Sequence, residues 1–431
     1  MKNQGQIAAR KLKGFQDYMP QVMAQRVRVM ETMRAVAKNS GFQEIGSPCL
    51  EYSEVLLGEG GETDKQVFQF EDNGGRSVAM RFDLTVPFAR FIQEHQGELT
   101  FPFKRLQIGD VWRAEKPQKG RYREFQQCDL DIIGTDSVDA DVEILLAFQN
   151  ILENLDVGEF TMKIGHRKIL TDLIIHLLGH QIDIDQTLIS LDKLDKIGSD
   201  KVAELINHER AHELLFVLKP DSSGHTNLVK VQEYLGEHSE LSRLRQSLEI
   251  MDSLGKKVRV DLSIARGLGY YTGIVFETFL NDIPGGGSVC SGGRYDRLAE
   301  RFGKTERPGV GGSLGLDRLI ALLGCEDLPQ KSEDVLVVSL TSTAKIQAWQ
   351  WVEQLRQAGC SAGLSLKETP KPAQHFRHAD RIGARWVILI GEKELQNGFA
   401  VLKNMATSEQ CLDSLSIGSV ISDEVLKKLR V

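Results

Sequence analysis

Two strand-like runs, Phe103 to Arg113 and Phe125 to Ile133, lie either side of a short segment crowded with cations. Each run alternates or is rich in β-branched and aromatic residues, the pattern of a strand. Between them come Glu115, the polar loop Lys116-Pro117-Gln118-Lys119-Gly120, and Arg121-Tyr122-Arg123-Glu124 leading into Phe125. Strands so close in sequence pair as an antiparallel hairpin, which commits the chain to a sheet with a basic tip. Such a tip suits phosphate, because guanidinium groups grip phosphate oxygens bidentately and Phe125 offers an apolar face to a base. A plain solvated turn would read the same way. Gln127 and Asp131, four residues apart, share a strand face with Arg123 and Phe125, which favours a pocket there.

The rest of the chain changes texture along its length. Val27, Met30, Met33, Val36 and Ala37 recur at helical spacing between Arg26 and Ser40, and Gly41 follows as a stop. Phe68 to Phe70 and Ser77 to Phe82 read as short strands around the turn Asp72-Asn73-Gly74-Gly75. From about Thr171 to Ser253, leucines recur every three or four residues among charges, the texture of a helical insertion. Strand character returns at Lys257 to Ile264, Gly273 to Leu280 and Gly287 to Ser291, so the insertion interrupts a sheet domain, and Leu316 to Leu323 is the next helix. Beyond a linker at Leu328 to Glu333, strand and helix alternate from Val335 to Ile390. The expected organisation is an α+β domain from residues 1–170 and 254–327, a helical insertion at 171–253, and a small α/β domain at 333–431.

Composition removes several classes. At roughly 150 residues per domain, 431 residues leave room for two to four domains. No stretch approaches the roughly 20 apolar residues of a membrane span. The formal charge of -7 argues against a histone-like polycation but permits a local basic surface. Six cysteines without a CxxC pair read as reduced cytosolic thiols, and the basic N-terminus to Phe15 lacks the apolar core of a secretory signal. A cytoplasmic protein is expected.

Three short patterns compete for attention. His208-Glu209-Arg210-Ala211-His212 matches HExxH, which on a helix could present two zinc ligands and a general base. Arg210 and Glu213 put charge where a buried catalytic helix would be apolar, so a solvated helix face is expected and no zinc. Gly303-Lys304-Thr305 ends like a phosphate-binding loop, but Leu298 occupies the position of its first glycine. The glycines at 285–287 and 309–315 never satisfy GxGxxG, so a dinucleotide fold has no support.

Gly311-Gly312-Ser313-Leu314-Gly315-Leu316-Asp317-Arg318 sets glycines before an apolar helix with an arginine in its first turn. Glycines there let backbone approach a ligand, and the arginine adds charge where anions already bind. Together with the basic hairpin, this resembles the class II aminoacyl-tRNA synthetases: Arg113 to Phe125 is similar to their motif 2 and Gly311 to Arg318 to their motif 3. Gly41-Phe42-Gln43-Glu44-Ile45-Gly46-Ser47-Pro48 is similar to motif 1, the dimer-interface helix and strand. Arg266-Gly267-Leu268-Gly269-Tyr270-Tyr271-Thr272-Gly273 and Gly292-Gly293-Arg294-Tyr295-Asp296 narrow the resemblance to the histidyl-tRNA synthetase family, with Gly269 standing where that family usually has an acid. The tail from Ile390-Gly391-Glu392 to Asn397-Gly398 resembles the family's anticodon-binding domain, so the resemblance covers essentially the whole chain. It implies a class II catalytic domain with a helical insertion, followed by an anticodon-binding α/β domain.

The resemblance further implies a ligase that activates L-histidine with ATP and passes it to the 3′ end of tRNA(His). Arg113 and Arg266 would clamp the α-phosphate and carboxylate, while Arg121 and Arg318 would hold the outer phosphates, with Mg²⁺ sharing the load. Glu115 would face the adenine, and Phe125 would stack on it. Asp83, Thr85 and Gln127 would take the ammonium; Asp131, Tyr270 and Tyr271 would take the imidazole. The expected partners are tRNA(His), L-histidine, ATP and a second copy of the chain, with no membrane. Two other readings stand beside it: a histidine-sensing regulatory paralogue of histidine biosynthesis that charges no tRNA, and the zinc peptidase at His208 and His212. In the C-terminal part, Lys367, Lys371, Arg377, Arg381 and Arg385, with His375 and His378, form a basic run that could meet tRNA phosphates or simply be a solvated helix face.

Overall fold

The computed structural model describes residues 7–57, 66–117, 120–220, 225–265, 271–303, 306–324, 334–407 and 409–430. Arg266, Tyr270, Gly269, the Gln118-Lys119 pair, Lys304-Thr305 and the linker at Leu328 to Glu333 lie outside the described residues. The chain divides into two compact units, Met1–Tyr18 with Met23–Gly324, and Cys325–Val431 with Met19–Val22.

The first unit is organised on an eight-stranded sheet. Across it run Gln43–Glu44, Phe103–Trp112, Glu124–Ile133, Gly309–Gly315, Cys290–Arg294, Ile274–Leu280, Phe160–His166 and Val258–Val260. Neighbours are antiparallel except at the two edges, where Gln43–Glu44 and Val258–Val260 pair in parallel. The expected hairpin is long and unbroken, from Phe103 opposite Ile133 to Trp112 opposite Glu124. One strand was not anticipated: Gly309–Gly315, read as glycines leading into a helix, is a central strand. Its glycines carry no β propensity, so only pairing on both sides makes it a strand.

The two faces of this sheet differ chemically. Cys128, Leu130 and Ile132 alternate with Gln127, Asp129 and Asp131 along one strand. The apolar set faces the helix Val138–Leu155, where Phe148 lies 5.7 Å from Phe276. That helix begins at Ser137, whose side chain accepts from Asp139 N, and ends with Asp156 in the left-handed conformation. The polar set is buried too, and it forms the floor of the site described below.

The N-terminal helix spans Pro20–Asn39, beginning ahead of the expected Arg26, and buries Arg26, Val29, Met33, Val36 and Ala37. Gly41 follows with φ +78°, the conformation that closes a helix. A small antiparallel sheet, Leu50–Tyr52, Ser77–Met80 and Gln69–Glu71, turns at Asp72, whose Oδ1 accepts from Gly74 N and Arg76 N at 2.8 and 2.9 Å. Between His166 and Val258 the chain leaves the main sheet for a run of helices from Arg167–Leu178 to Ser239–Ser253, whose leucines form the inner surfaces.

The second unit carries a five-stranded sheet in the order Ala362–Leu364, Val335–Ser339, Trp386–Ile390, Phe399–Asn404, Gln410–Ser416. The first three are parallel and the last two antiparallel. Trp351 and Val352 of the helix Lys345–Gln357 pack on one face with Val337 and Ile388, and Ala379 packs on the other with Leu336 and Val387. The strands after Ile390 went unread because Lys403 and Asp413 interrupt their apolar pattern.

Candidate active site

Three rows of residues cross the sheet on its polar face. One joins Arg105, Asp131, Gly311, Gly293 and Val275 in register. A second joins Gln107, Asp129, Ser313, Ser291, Glu277 and Lys163, and a third joins Gly109, Gln127 and Gly315. Where the glycines fall, the floor sinks. A Cβ on Gly311 would stand 2.0 Å from Asp131 Oδ1, and one on Gly293 would stand 2.9 Å from Tyr271 Cδ1. The resulting cavity, about 370 Å³, is lined by Asp83, Thr85, Arg113, Arg121, Gln127, Asp131 and Tyr271 among others. Seven residues singled out in the sequence thus meet in one place.

Its walls carry acceptors that lack donors. Asp83 precedes the helix Thr85–Glu94 and accepts from Val86 N through Oδ1 at 3.1 Å, while its buried Oδ2 has no hydrogen-bond partner among the described residues. Asp83 therefore both caps and lines. Gln127 Nε2 donates to Ser313 Oγ at 2.8 Å, and among the described residues Gln127 Oε1 is buried without a hydrogen-bond partner. Burial pushes the Asp83 carboxyl up to about 6, against the lowering effects of Val86 N–H and Arg113. Orphaned buried acceptors are costly, so a cationic donor entering here would recover that cost.

Beneath them lies a charge network that the sequence reading missed. Arg105 is wholly buried, lies 2.7 Å from Asp131 Oδ2 and 3.7 Å from Asp129 Oδ2, and donates to Gln107 Oε1 at 2.8 Å. The Tyr295 hydroxyl donates to Asp131 Oδ1. Desolvation raises both carboxyls, and the shared guanidinium opposes that rise. The available signal was period two: Arg105 and Gln107 alternate with apolar residues as Gln127, Asp129 and Asp131 do, and polar residues on a buried strand face need a reason.

The cationic wall stands at the cavity mouth. Arg113 donates from Nε to the Phe82 carbonyl at 3.0 Å, with its guanidinium 5.1 Å from the Phe125 ring centroid. Arg121 is exposed and lines both this cavity and a larger cleft of about 1650 Å³. That cleft also holds Arg318, Lys163, Arg167, Lys193 and Lys196. Arg318 donates from Nε to the Gly286 carbonyl at 3.3 Å, and a Cβ on Gly287 would stand 2.3 Å from Arg318 Nη2, so the glycine loop makes room for the arginine. Next to it, Asp317 is buried and accepts from Arg26, from Tyr18 Oη at 2.5 Å and from Gln126 N at 2.8 Å. This ties the helix Leu316–Leu323 to the strand carrying Phe125 and Gln127. Glu115 is half-buried in the turn and lines neither cavity; its carbonyl accepts from Arg123 Nε at 3.0 Å.

Two sequence patterns resolve differently. His208 lies before a turn and accepts from Arg210 N at 3.1 Å, and the helix starts only at Ala211, so His208 and His212 do not share a helix face. The expected solvated helix face is a turn there, with Arg210 paired to Glu213 at 2.7 Å. In the second unit, His375 is buried between Ser365 Oγ at 2.7 Å and the Thr369 carbonyl at 2.8 Å, and Arg385 pairs with Asp334 at 3.2 Å. Lys367, Lys371, Arg377 and Arg381 remain exposed.

Comparison with known proteins places this geometry. Residues 14–319 match the family model described as histidyl-tRNA synthetase, and residues 334–429 match an anticodon binding domain. A histidine–tRNA ligase from Rhodopirellula baltica is 43% identical over 94% of this chain and 95% of its own length. The crystal structure of a histidyl-tRNA synthetase from Nostoc sp. PCC 7120 superposes with a TM-score of 0.86 at 30% identity, covering 99% of both chains. An ATP phosphoribosyltransferase regulatory subunit/histidyl-tRNA synthetase from Bacillus halodurans shares the fold, with a TM-score of 0.73 at 22% identity over 86% of this chain and 97% of its own.

Proposed function

The chain belongs to the histidyl-tRNA synthetase family, with ligation of histidine to tRNA as its activity, and we propose that the glycine-floored cavity and the adjoining basic cleft are where that ligation occurs. The observation that carries this is the pairing of orphaned acceptors with a wall of arginines. Asp83 Oδ2 and Gln127 Oε1 await an ammonium, and Arg113 and Arg121 stand where a carboxylate and phosphates would meet. Asp131, held by Arg105 and Tyr295, and Tyr271 address the imidazole.

ATP enters as its Mg²⁺ complex. Magnesium is commonly bound by substrate phosphates with few protein ligands, so the phosphates would carry it into the cleft. The histidine carboxylate attacks the α-phosphorus, forming a mixed anhydride while the bond to pyrophosphate breaks. Negative charge grows on the phosphoryl oxygens and the leaving group, so fixed guanidinium groups lower the barrier. Arg113 and, by the family resemblance, Arg266 take the α-phosphate, and Arg121 and Arg318 take the outer phosphates. Phe125, beside Arg113, stacks on the adenine, and Glu115, which lines neither cavity, would meet the adenine edge at the hairpin turn outside them. A ribose hydroxyl of the tRNA 3′ end then attacks the anhydride carbonyl and AMP leaves. Residues 171–253 act as an insertion domain and 333–431 as the anticodon reader.

The active species is a cytoplasmic homodimer. Tyr52, Val78 and Phe70 align in one row of the small sheet, with Tyr52 53% and Phe70 45% exposed, an apolar strip that a second copy could cover. The described cysteines Cys49, Cys128, Cys290 and Cys360 are unbridged, as in a reducing compartment. Among the described residues no helix is long and apolar enough to cross a membrane.

Histidine-dependent exchange of pyrophosphate into ATP tests the reading. Exchange stimulated by histidine alone among the amino acids, followed by charging of tRNA(His), is expected; histidine binding without exchange would instead make the chain a sensor.

A further inference from the structure

The chain ahead of the first helix belongs to neither cavity, yet it lies against the basic hairpin. The Gly14 carbonyl accepts the Arg123 N–H at 2.8 Å, where the second strand leaves the tip. Gly14 has φ +90°, and a Cβ there would stand 2.8 Å from Arg123 Cγ and 3.0 Å from Pro117 Cγ. The backbone therefore crosses both legs of the tip, and only glycine fits the crossing. Phe15 anchors it, its ring 6.4 Å from that of Phe68.

What this strap carries is charge. Arg10, Lys11 and Lys13 are exposed, and no acidic residue occurs in the sequence before Asp17. Lys11 Nζ donates to the neutral Gln16 Oε1 at 2.9 Å, and none of the three makes an ion pair among the described residues. Lys116 and Arg121 are exposed on the hairpin it crosses. In a chain with a formal charge of -7, such a local excess of uncompensated cations is an anion-binding surface. The three strap cations line neither cavity, so they stand apart from the groups assigned above to histidine and the ATP phosphates.

We propose that Arg10, Lys11 and Lys13 bind backbone phosphates of the tRNA acceptor stem. The inference rests on the ligase reading. If the 3′ end reaches the cavity past Arg121, the duplex behind it must lie outside the mouth, where the strap crosses the hairpin. Such contacts carry no sequence information; they set the register of the duplex and make binding salt-dependent.

The test is binding of a fluorescent acceptor-stem minihelix to the full chain between 50 and 200 mM salt. Replacing Arg10, Lys11 and Lys13 together by Gln should reduce the salt slope by about two to three, and weaken binding at the lower salt by roughly tenfold or more. Histidine-dependent pyrophosphate exchange should be unchanged, and Lys11→Arg with Lys13→Arg should retain the slope. A slope equal to that of the unaltered chain would overturn the proposal. So would a parallel loss of exchange, which would make the strap a brace for the hairpin. Absence of exchange in the unaltered chain would remove the ligase reading, whereas the minihelix comparison would still decide whether the strap binds duplex phosphates.

Discussion

Arg105 Nη2 lies 2.7 Å from Asp131 Oδ2 under the floor of the pocket, and neither group reaches solvent. The same guanidinium serves Asp129 and stacks 4.3 Å from the Phe88 ring centroid. One cation thus compensates two buried carboxyls. Removing it leaves charge with no partner, which typically costs about 3 to 5 kcal/mol. Arg105→Met should lower the urea midpoint of the first unit accordingly, and adding Asp129→Asn should restore part of the loss. An unchanged midpoint would mean that the two carboxyls are neutral without Arg105.

Gly311→Ala places a methyl 2.0 Å from Asp131 Oδ1, on backbone paired on both sides and unable to retreat. The carboxylate must move by about 1 Å, a displacement that can cost on the order of a hundredfold in rate. Steady-state exchange kinetics should show this in kcat/KM for histidine, with the KM for ATP nearly unchanged. An equal loss for both substrates would place Gly311 in the frame of the whole site.

Asp83 gives a pH signature with a definite sign. Burial raises its carboxyl from 3.8 to about 6, so the folded chain holds this proton where the unfolded chain has released it. Stability therefore falls as pH rises through that window, and the penalty persists above it. Asp83→Asn should be more stable than the parent by about 1 to 3 kcal/mol near pH 8, with the difference vanishing towards about pH 4. The same variant should lose histidine activation. Urea titrations across pH read the first effect, and exchange assays the second.

Tyr271 lines the cavity beside Gly293. If its hydroxyl addresses the imidazole, Tyr271→Phe loses a buried hydrogen bond worth about 1 to 3 kcal/mol, seen as roughly a five- to hundredfold fall in kcat/KM for histidine. Unchanged kinetics would remove Tyr271 from substrate recognition.

The C-terminal basic run should split into two behaviours. Arg377 and Arg381 are exposed on the helix Pro372–Arg381, so replacing each with Gln should weaken tRNA binding and lower its salt slope by about one. His375 is buried and bonded on both ring nitrogens, so His375→Ala should destabilise the second unit instead. Thermal melting and tRNA titrations separate the two; a stable His375→Ala protein with weakened tRNA binding would contradict this division.

How much was legible depended on whether a residue's role was local. Phe103 to Ile133 announced a hairpin because alternation and a polar tip are properties of adjacent residues. Asp72-Asn73-Gly74-Gly75 announced its turn for the same reason. Asp83 could be read as a cap or as a ligand; the structure shows the cap, through Oδ1, and leaves Oδ2 on the cavity wall, where the ligand role is a proposal. The strand Gly309–Gly315 was not legible, because glycine has no strand preference of its own and becomes one only between Asp131 and Gly293.

By itself, the sequence determined the basic hairpin, the helical interruption of a sheet domain, the α/β tail and the side chains able to handle phosphate and ammonium. These are matters of period, charge and chemical type, which short stretches of chain carry alone. Only the tertiary structure decided that Arg105 lies beneath Asp131, that Asp317 joins Arg26 to Gln126, and that Gly14 braces Arg123. Those pairs are 26, 291 or 109 residues apart, and nothing in either partner's neighbourhood specifies the other. The sheet brings them together because burying its apolar face against Val138–Leu155 sets the strand order, and strand order sets which polar residues share the other face.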